Sequence, residues 1–102
     1  MRKAEREFQE QVRELGCICC WLDFGVKTPC EIHHCLSGGR RMGEMFVLGL
    51  CPTHHRSGRN DAEVVSRDHN QSRFERRYGT EEYLMAQTKV MLGKANALVE
   101  EA

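Results

Sequence analysis

Two stretches decide how this chain folds: Pro29-Cys30-Glu31-Ile32-His33-His34 and Leu50-Cys51-Pro52-Thr53-His54-His55-Arg56. Each sets an adjacent histidine pair beside a cysteine. Ahead of both lies a tighter cluster, Cys17-Ile18-Cys19-Cys20. A hydrophobic core has no use for so many ligand side chains close together, whereas metal ions do. The donors suffice for two sites, one to hold the fold and one to support chemistry.

Working outward, Cys17 and Cys20 form a C-x2-C pair, and Cys51 and His54 form a C-x2-H pair. A closed tetrahedral zinc site commonly draws two such pairs from separate turns. The zinc would supply folding free energy to a chain that needs it. With 102 residues, 40% hydrophobic and 7% aromatic, the chain has the length of one domain and a lean core. Disulfides are the competing staple. However, Met1-Arg2-Lys3 runs directly into Ala4-Glu5-Arg6-Glu7 with no apolar stretch, so no export signal is expected. No run approaches the roughly 18 apolar residues of a membrane span. A cytoplasmic chain keeps its thiols reduced, which favours zinc. Cys19, Cys30 and Cys35 are left over. Cys19 can stand in for Cys20, the three can contribute to a second zinc site, or they are small buried hydrophobes.

Hydrophobic spacing places the remaining elements. Ala4, Phe8, Val12 and Leu15 mark an amphipathic helix over 3–15, closed by Gly16 as a left-handed stop. Cys17–Cys20 reads as a tight turn, followed by Trp21, Leu22 and Phe24 as core. Glu31–Leu36 and Phe46–Cys51 read as short strands. Between them, Ser37–Gly43 is a flexible basic loop. Pro52 suits the first turn of a helix carrying His54, His55 and Arg56, which stops at Ser57-Gly58-Arg59. A short helix then ends at Tyr78-Gly79, with Phe74 and Tyr78 on one face. Thr80 caps the last helix, Glu81 and Glu82 favour its positive end, and Leu84, Met91, Leu92, Ala95, Leu98 and Val99 give it an apolar stripe. The class is small α+β, with strand, loop, strand and helix at the centre.

Once zinc is satisfied, His33, His34 and His55 remain. Neighbours on a strand point to opposite sides, so one of His33 and His34 can bind a cation while the other acts on water. His55 can face the strand and complete the cation site, and His69 can return to it from the following loop. Metal-assisted phosphodiester hydrolysis fits this set, with an imidazole taking the proton from attacking water. Arg40, Arg41, Arg56 and Arg59 are candidates to hold phosphates. Fifteen basic and fifteen acidic residues give a formal net charge of zero, so total charge does not announce a nucleic-acid binder. A competing reading makes the histidines a second structural zinc site in a non-enzymatic module that binds DNA or protein. A thiol oxidoreductase on Cys17 and Cys20 lacks the βαβ setting such chemistry uses.

Cys17-x-x-Cys20, His33-His34 and Cys51-x-x-His54-His55 resemble the frame of the HNH, or ββα-metal, endonucleases. A wider set is similar to the phage Ref family, the RecA-dependent nucleases: Gly16-Cys17-Ile18-x-Cys20, Glu31-Ile32-His33-His34, Leu50-Cys51-Pro52-x-His54-His55-Arg56, His69, Phe74-Glu75 and Tyr78-Gly79-Thr80-Glu81. The resemblance implies a zinc-stabilised ββα-metal core over 16–58, the 3–15 helix before it and a helical part over 66–100, all in one nuclease domain spanning 1–102. It implies His34 as general base, with His33 and His55 as catalytic metal ligands beside magnesium or another divalent cation. His54 stands where the last zinc-binding cysteine usually stands, and His69 falls on a recurring histidine of that family, which implies a place for it in the active site. The implied partners are DNA, single-stranded or recombinase-paired, and a RecA filament, in a bacterial cytoplasm with phage or prophage origin. The middle Asn of the HNH name has no counterpart, since Glu44 and Met45 occupy its region. The long basic N-terminal extension of the founding phage member is also missing, so weak intrinsic DNA affinity is expected, which recruitment by a filament would offset.

Overall fold

An antiparallel ribbon, β1 (Glu31–His34) with β4 (Val47–Leu50), runs through the centre of the fold and pairs Glu31 with Leu50, Ile32 with Gly49, His33 with Leu48 and His34 with Val47. The computed structural model of the chain describes residues 1–57, 65–68 and 70–101, with side chains through residue 94. Arg59 and His69 therefore lie outside the described residues.

The strand expected over Glu31–Leu36 breaks at Cys35, although Cys35 N–H still donates to Phe46 O at 2.9 Å. Beyond the break, β2 (Leu36–Ser37) and β3 (Arg40–Arg41) form a hairpin. The stretch read as a flexible loop thus contains a second, separate two-stranded sheet. Gly38 and Gly39 make it possible, because their φ values of 59° and 80° suit the two-residue turn whose twist matches paired strands.

Helix α1 (Lys3–Leu15) forms where its periodicity places it, with the Glu5 carboxylate accepting from Arg2 N–H at 2.7 Å. Gly16 has φ 90° and ψ −162°, so it turns the chain sharply and is not a left-handed helical stop. The Cys17–Cys20 stretch is not a turn either. It opens helix α2 (Ile18–Phe24) with Cys17 at the N-cap, and the i, i+3 spacing brings Cys17 and Cys20 to one side. Ile18, Cys19 and Cys20 take the buried face of that short helix, so the expected core role of its apolar end fails. Leu22 and Phe24 are 43% and 58% exposed, and half-buried Trp21 donates its indole N–H to Leu15 O.

Strand β4 is buried along its whole length and packs against α1, α2 and α4 (Glu81–Glu101). After Pro52 the expected helix is a single π-helical turn, Thr53–Ser57. Helix α3 (Gln71–Tyr78) starts at Asn70, whose side chain accepts from Arg73 N–H, and buries Phe74 and Tyr78. Thr80 caps α4 as expected, with Tyr83 N–H donating to its hydroxyl. The core joins Cys17, Ile18, Cys19, Cys20, Cys35, Leu48, Leu50, Val65, Phe74, Tyr78 and Leu84. Sulfur fills much of the space that large side chains fill in richer cores. Among the described residues no helix is long and apolar enough to cross a membrane.

At Gly49 in β4 the backbone after α1 and the Cys30 side chain come close. A Cβ there would lie 2.6 Å from Gly16 O and 2.9 Å from Cys30 Sγ. Gly49→Ala is expected to cost about 1–3 kcal/mol through overpacking. A Cβ at Gly93 on α4 would meet nothing, so Gly93→Ala should stabilise by about 0.5–1 kcal/mol. Urea unfolding of the zinc-loaded variants measures both, and equal effects would contradict the close approach.

Candidate zinc cluster and active site

Cys17 and Cys20 from the start of α2, Cys51 from just after β4 and His54 from the π-turn converge. His54 Nδ1 lies 3.5 Å from Cys17 Sγ, 3.5 Å from Cys20 Sγ and 3.2 Å from Cys51 Sγ. The Cys20 and Cys51 sulfurs are 3.9 Å apart. Tetrahedral zinc with its ordinary bond lengths spaces S and N by about 3.6 Å and two sulfurs by about 3.8 Å. The donor set therefore fits zinc in chemistry and in size, and it is the set the sequence proposes.

Charge argues the same way. Burial pushes the Cys20 thiol up to about 12 and raises Cys51 too. Cys17 alone is held low, at about 3, mainly by a hydrogen bond from Cys19. A cation is what makes three thiolates tolerable in one buried place. His54 Nε2 is buried with no hydrogen-bond partner among the described residues, and the ring packs edge-to-face on Tyr78 at 5.2 Å. Cys19 and Cys35 are buried and Cys30 is half-buried, all free thiols outside the cluster.

The neighbouring residue begins a second centre. His55 Nε2 faces His33 Nδ1 at 3.3 Å and lies 3.8 Å from Asp68 Oδ2. Cation bonds of about 2.1 Å meeting near a right angle place two donors about 3.0 Å apart. The His33–His55 spacing is close to that value and the His55–Asp68 spacing is wider, and the three together form a group of two imidazoles and a carboxylate that could hold a cation. Local structure explains how Asp68 arrives there. The π-turn ends after one turn and leaves its carbonyls open. Arg67 N–H donates to His54 O at 2.8 Å and Asp68 N–H to His55 O at 3.0 Å. The returning segment is held against the histidine turn, as the sequence suggests for His69, but the described residue that meets His55 is Asp68.

Each far nitrogen has a carboxylate. His33 Nε2 is 2.9 Å from Glu81 Oε1, and His55 Nδ1 is 2.9 Å from Glu31 Oε1. Such partners orient ligating imidazoles and fix which nitrogen carries the proton. Glu81 also accepts from Arg67 Nε at 3.0 Å and from Leu36 N–H at 3.2 Å. Burial pushes its carboxyl up, but the His33 bond, Leu36 N–H and Arg67 outweigh that and hold it at about 2. A second grouping, His33, Cys35 and Glu81, shares His33. Burial and the Glu81 charge raise Cys35 to about 12, leaving a protonated thiol there at neutral pH.

His34 points elsewhere. Its Nε2 lies 3.0 Å from Glu44 Oε2, and the ring is partly exposed. Arg40 and Arg41 sit exposed on the β2–β3 hairpin that follows it. Arg56, expected to hold phosphate, is engaged with Glu31 through three contacts of 2.8–3.2 Å. That pairing, with the His55 bond second, brings Glu31 down to about 2. Sequence reasoning missed Asp68, Glu81, Glu31 and Glu44 as partners of the histidines. Glu81 carried a signal, but only as a helix-dipole residue.

A zinc-type Cys3His cluster beside a histidine–carboxylate centre defines a small α+β protein with one cluster suited to structure and one suited to chemistry. No curated protein matches the chain. The chain belongs to the family described as "Recombination enhancement, RecA-dependent nuclease", whose model matches residues 2–93.

The zinc assignment predicts one tightly held zinc per chain by native mass spectrometry. Cys51→Ala should lose it and with it cooperative unfolding, whereas Cys30→Ala should keep it. Retention of zinc by Cys51→Ala would sink the assignment.

Proposed function

We propose that residues 1–102 act as one metal-dependent DNA endonuclease domain of the HNH, ββα-metal type, directed to DNA bound by a RecA-type filament. The observation that carries this reading is the spare histidine set beyond a complete zinc cluster, His33 and His55 converging on one point and His34 facing away from it. The family description supports DNA cleavage and RecA dependence.

A divalent cation held by His33, His55 and Asp68, magnesium being the expected one, would supply stabilisation of the charge developing on the phosphate and its leaving oxygen. The protein's own groups do the rest. His34 serves as general base. Its Nε2 faces Glu44, and among the described residues Nδ1 has no partner, which leaves that lone pair for a proton from water. Arg40 and Arg41 hold flanking phosphates from the hairpin, and Arg56 joins them by exchanging Glu31 for phosphate. Arg59 and His69 complete the proposed contacts as phosphate holder and additional imidazole. Zero net charge limits non-specific DNA affinity, so the filament brings substrate and enzyme together.

The test compares wild type, His34→Ala and Asp68→Ala on single-stranded DNA and a displacement loop, with magnesium, each with and without RecA and ATP. His34→Ala should lower cleavage by about 100-fold or more with zinc retained. Asp68→Ala should raise the magnesium concentration required by about 10- to 100-fold. Full activity of His34→Ala would remove the base assignment. Cleavage by wild type without RecA would keep the nuclease and remove filament direction. No cleavage by folded, zinc-loaded protein would favour the binding module.

A further inference from the structure

We infer that Glu44, braced by Gln9, is a positioning residue that holds the His34 ring with its Nδ1 lone pair directed outward.

Gln9 is an anomaly on α1. It is 2% exposed, and the only other buried residue of the helix is the apolar Val12. A buried amide without partners costs about 1–3 kcal/mol, and helix formation gives no reason to place one there. Its partners supply the reason. Gln9 Nε2 donates to Glu44 O at 2.8 Å and to Glu44 Oε2 at 2.9 Å. Both amide protons are thus spent on one residue 35 positions away. Backbone and carboxylate of Glu44 are held together, which fixes the side chain and the loop that carries it.

The same Oε2 lies 3.0 Å from His34 Nε2. An ionised carboxylate only accepts hydrogen bonds, so Nε2 must be the donor. A neutral imidazole carries one ring proton, and here that proton is on Nε2. Nδ1 is left as the acceptor, and the ring cannot rotate without breaking the bond. This is the work an orienting carboxylate does for a catalytic histidine in hydrolases. The loop position supports it, because Glu44 lies three residues before Val47, the β4 residue that pairs with His34 at the end of β1.

The inference rests on His34 being the general base, so the test keeps the two separable. Single-turnover cleavage of a displacement loop with RecA, ATP and magnesium is measured at saturating enzyme for four Glu44 and Gln9 variants. Glu44→Ala and Glu44→Asp should each lower the rate constant by about 10- to 100-fold. Asp keeps the charge but falls short of Nε2. Glu44→Gln, which keeps an acceptor at full reach, should stay within about tenfold of wild type, and Gln9→Ala should lose less than Glu44→Ala. In a His34→Ala background, Glu44→Ala should cost nothing further, since it acts through that ring. A second readout needs no activity: in the zinc-loaded, nitrogen-15-labelled chain, the His34 Nε2 proton should be seen in wild type and Glu44→Gln and lost to exchange in Glu44→Ala.

Wild-type rates in Glu44→Ala and Glu44→Asp, with His34→Ala inactive, would overturn the positioning role and leave the nuclease intact. An equal Glu44→Ala loss with and without His34 would also overturn it, by showing a merely structural effect. If Glu44→Ala loses zinc or fails to fold, the Asp and Gln variants decide: Asp above Gln overturns the inference. An active His34→Ala would instead remove the base assignment on which it rests.

Discussion

Four donor atoms from three places in the chain meet within bonding range of a single cation, and the rest of the structure depends on that meeting. Cys17 and Cys20 tie down the junction of α1 and α2, Cys51 directly follows β4, and His54 holds the π-turn. These segments also carry Ile18, Leu48 and Leu50 into the core, so the cluster and the apolar packing hold the same elements. Zinc binding in comparable small folds contributes about 10–16 kcal/mol, more than the whole stability of many domains. The cluster also fixes an orientation. With His54 Nδ1 turned to the sulfurs, the next residue on the turn, His55, is carried across to His33. A site suited to structure thereby sets the geometry of a site suited to chemistry.

Carboxylates then define the imidazoles. His33, His34 and His55 meet Glu81, Glu44 and Glu31 respectively, each within 3.0 Å. Glu81 comes from the first turn of α4, Glu44 from the loop before β4, and Glu31 from β1 itself. A histidine has two similar nitrogens, and an undirected ring can present either one. Each carboxylate removes that freedom. The arrangement gives a physical use to acidic residues in a chain whose net charge is zero, because these acids face protein imidazoles while Arg40 and Arg41 remain exposed.

The sequence made the local features legible and left the tertiary ones hidden. Helix α1, the C-x2-C and C-x2-H pairs and the Thr80 cap depend on spacings within one or two turns, and those can be read directly. The pairings of Gln9 with Glu44, His33 with Glu81 and His55 with Asp68 span gaps that no periodicity encodes. Gln9 is one polar residue among several on an amphipathic helix, and nothing in its spacing marks it out. Leu22 and Phe24 failed in the opposite direction, since apolar character suggested core while the two-turn helix had already filled its inner face. The ordered hairpin was missed because two glycines read equally well as flexibility and as the positive φ angles of a tight turn.

The ribbon's register is what gives two adjacent histidines different partners. His33 opposite Leu48 faces the interior and His55, while His34 opposite Val47 faces Glu44. A slip of one residue would exchange those sides. A strand buried on both faces, as β4 is, resists slippage poorly by polarity alone, for it offers no polar side to misplace. The register must be held at fixed points. Gly49 is one, as the position that admits Gly16 O and Cys30 Sγ. Cys51 is the other, tying the chain just after the strand into the Cys3His cluster. Between these two constraints His33 has one place to go, and packing alone turns the two neighbouring imidazoles to opposite sides of the ribbon.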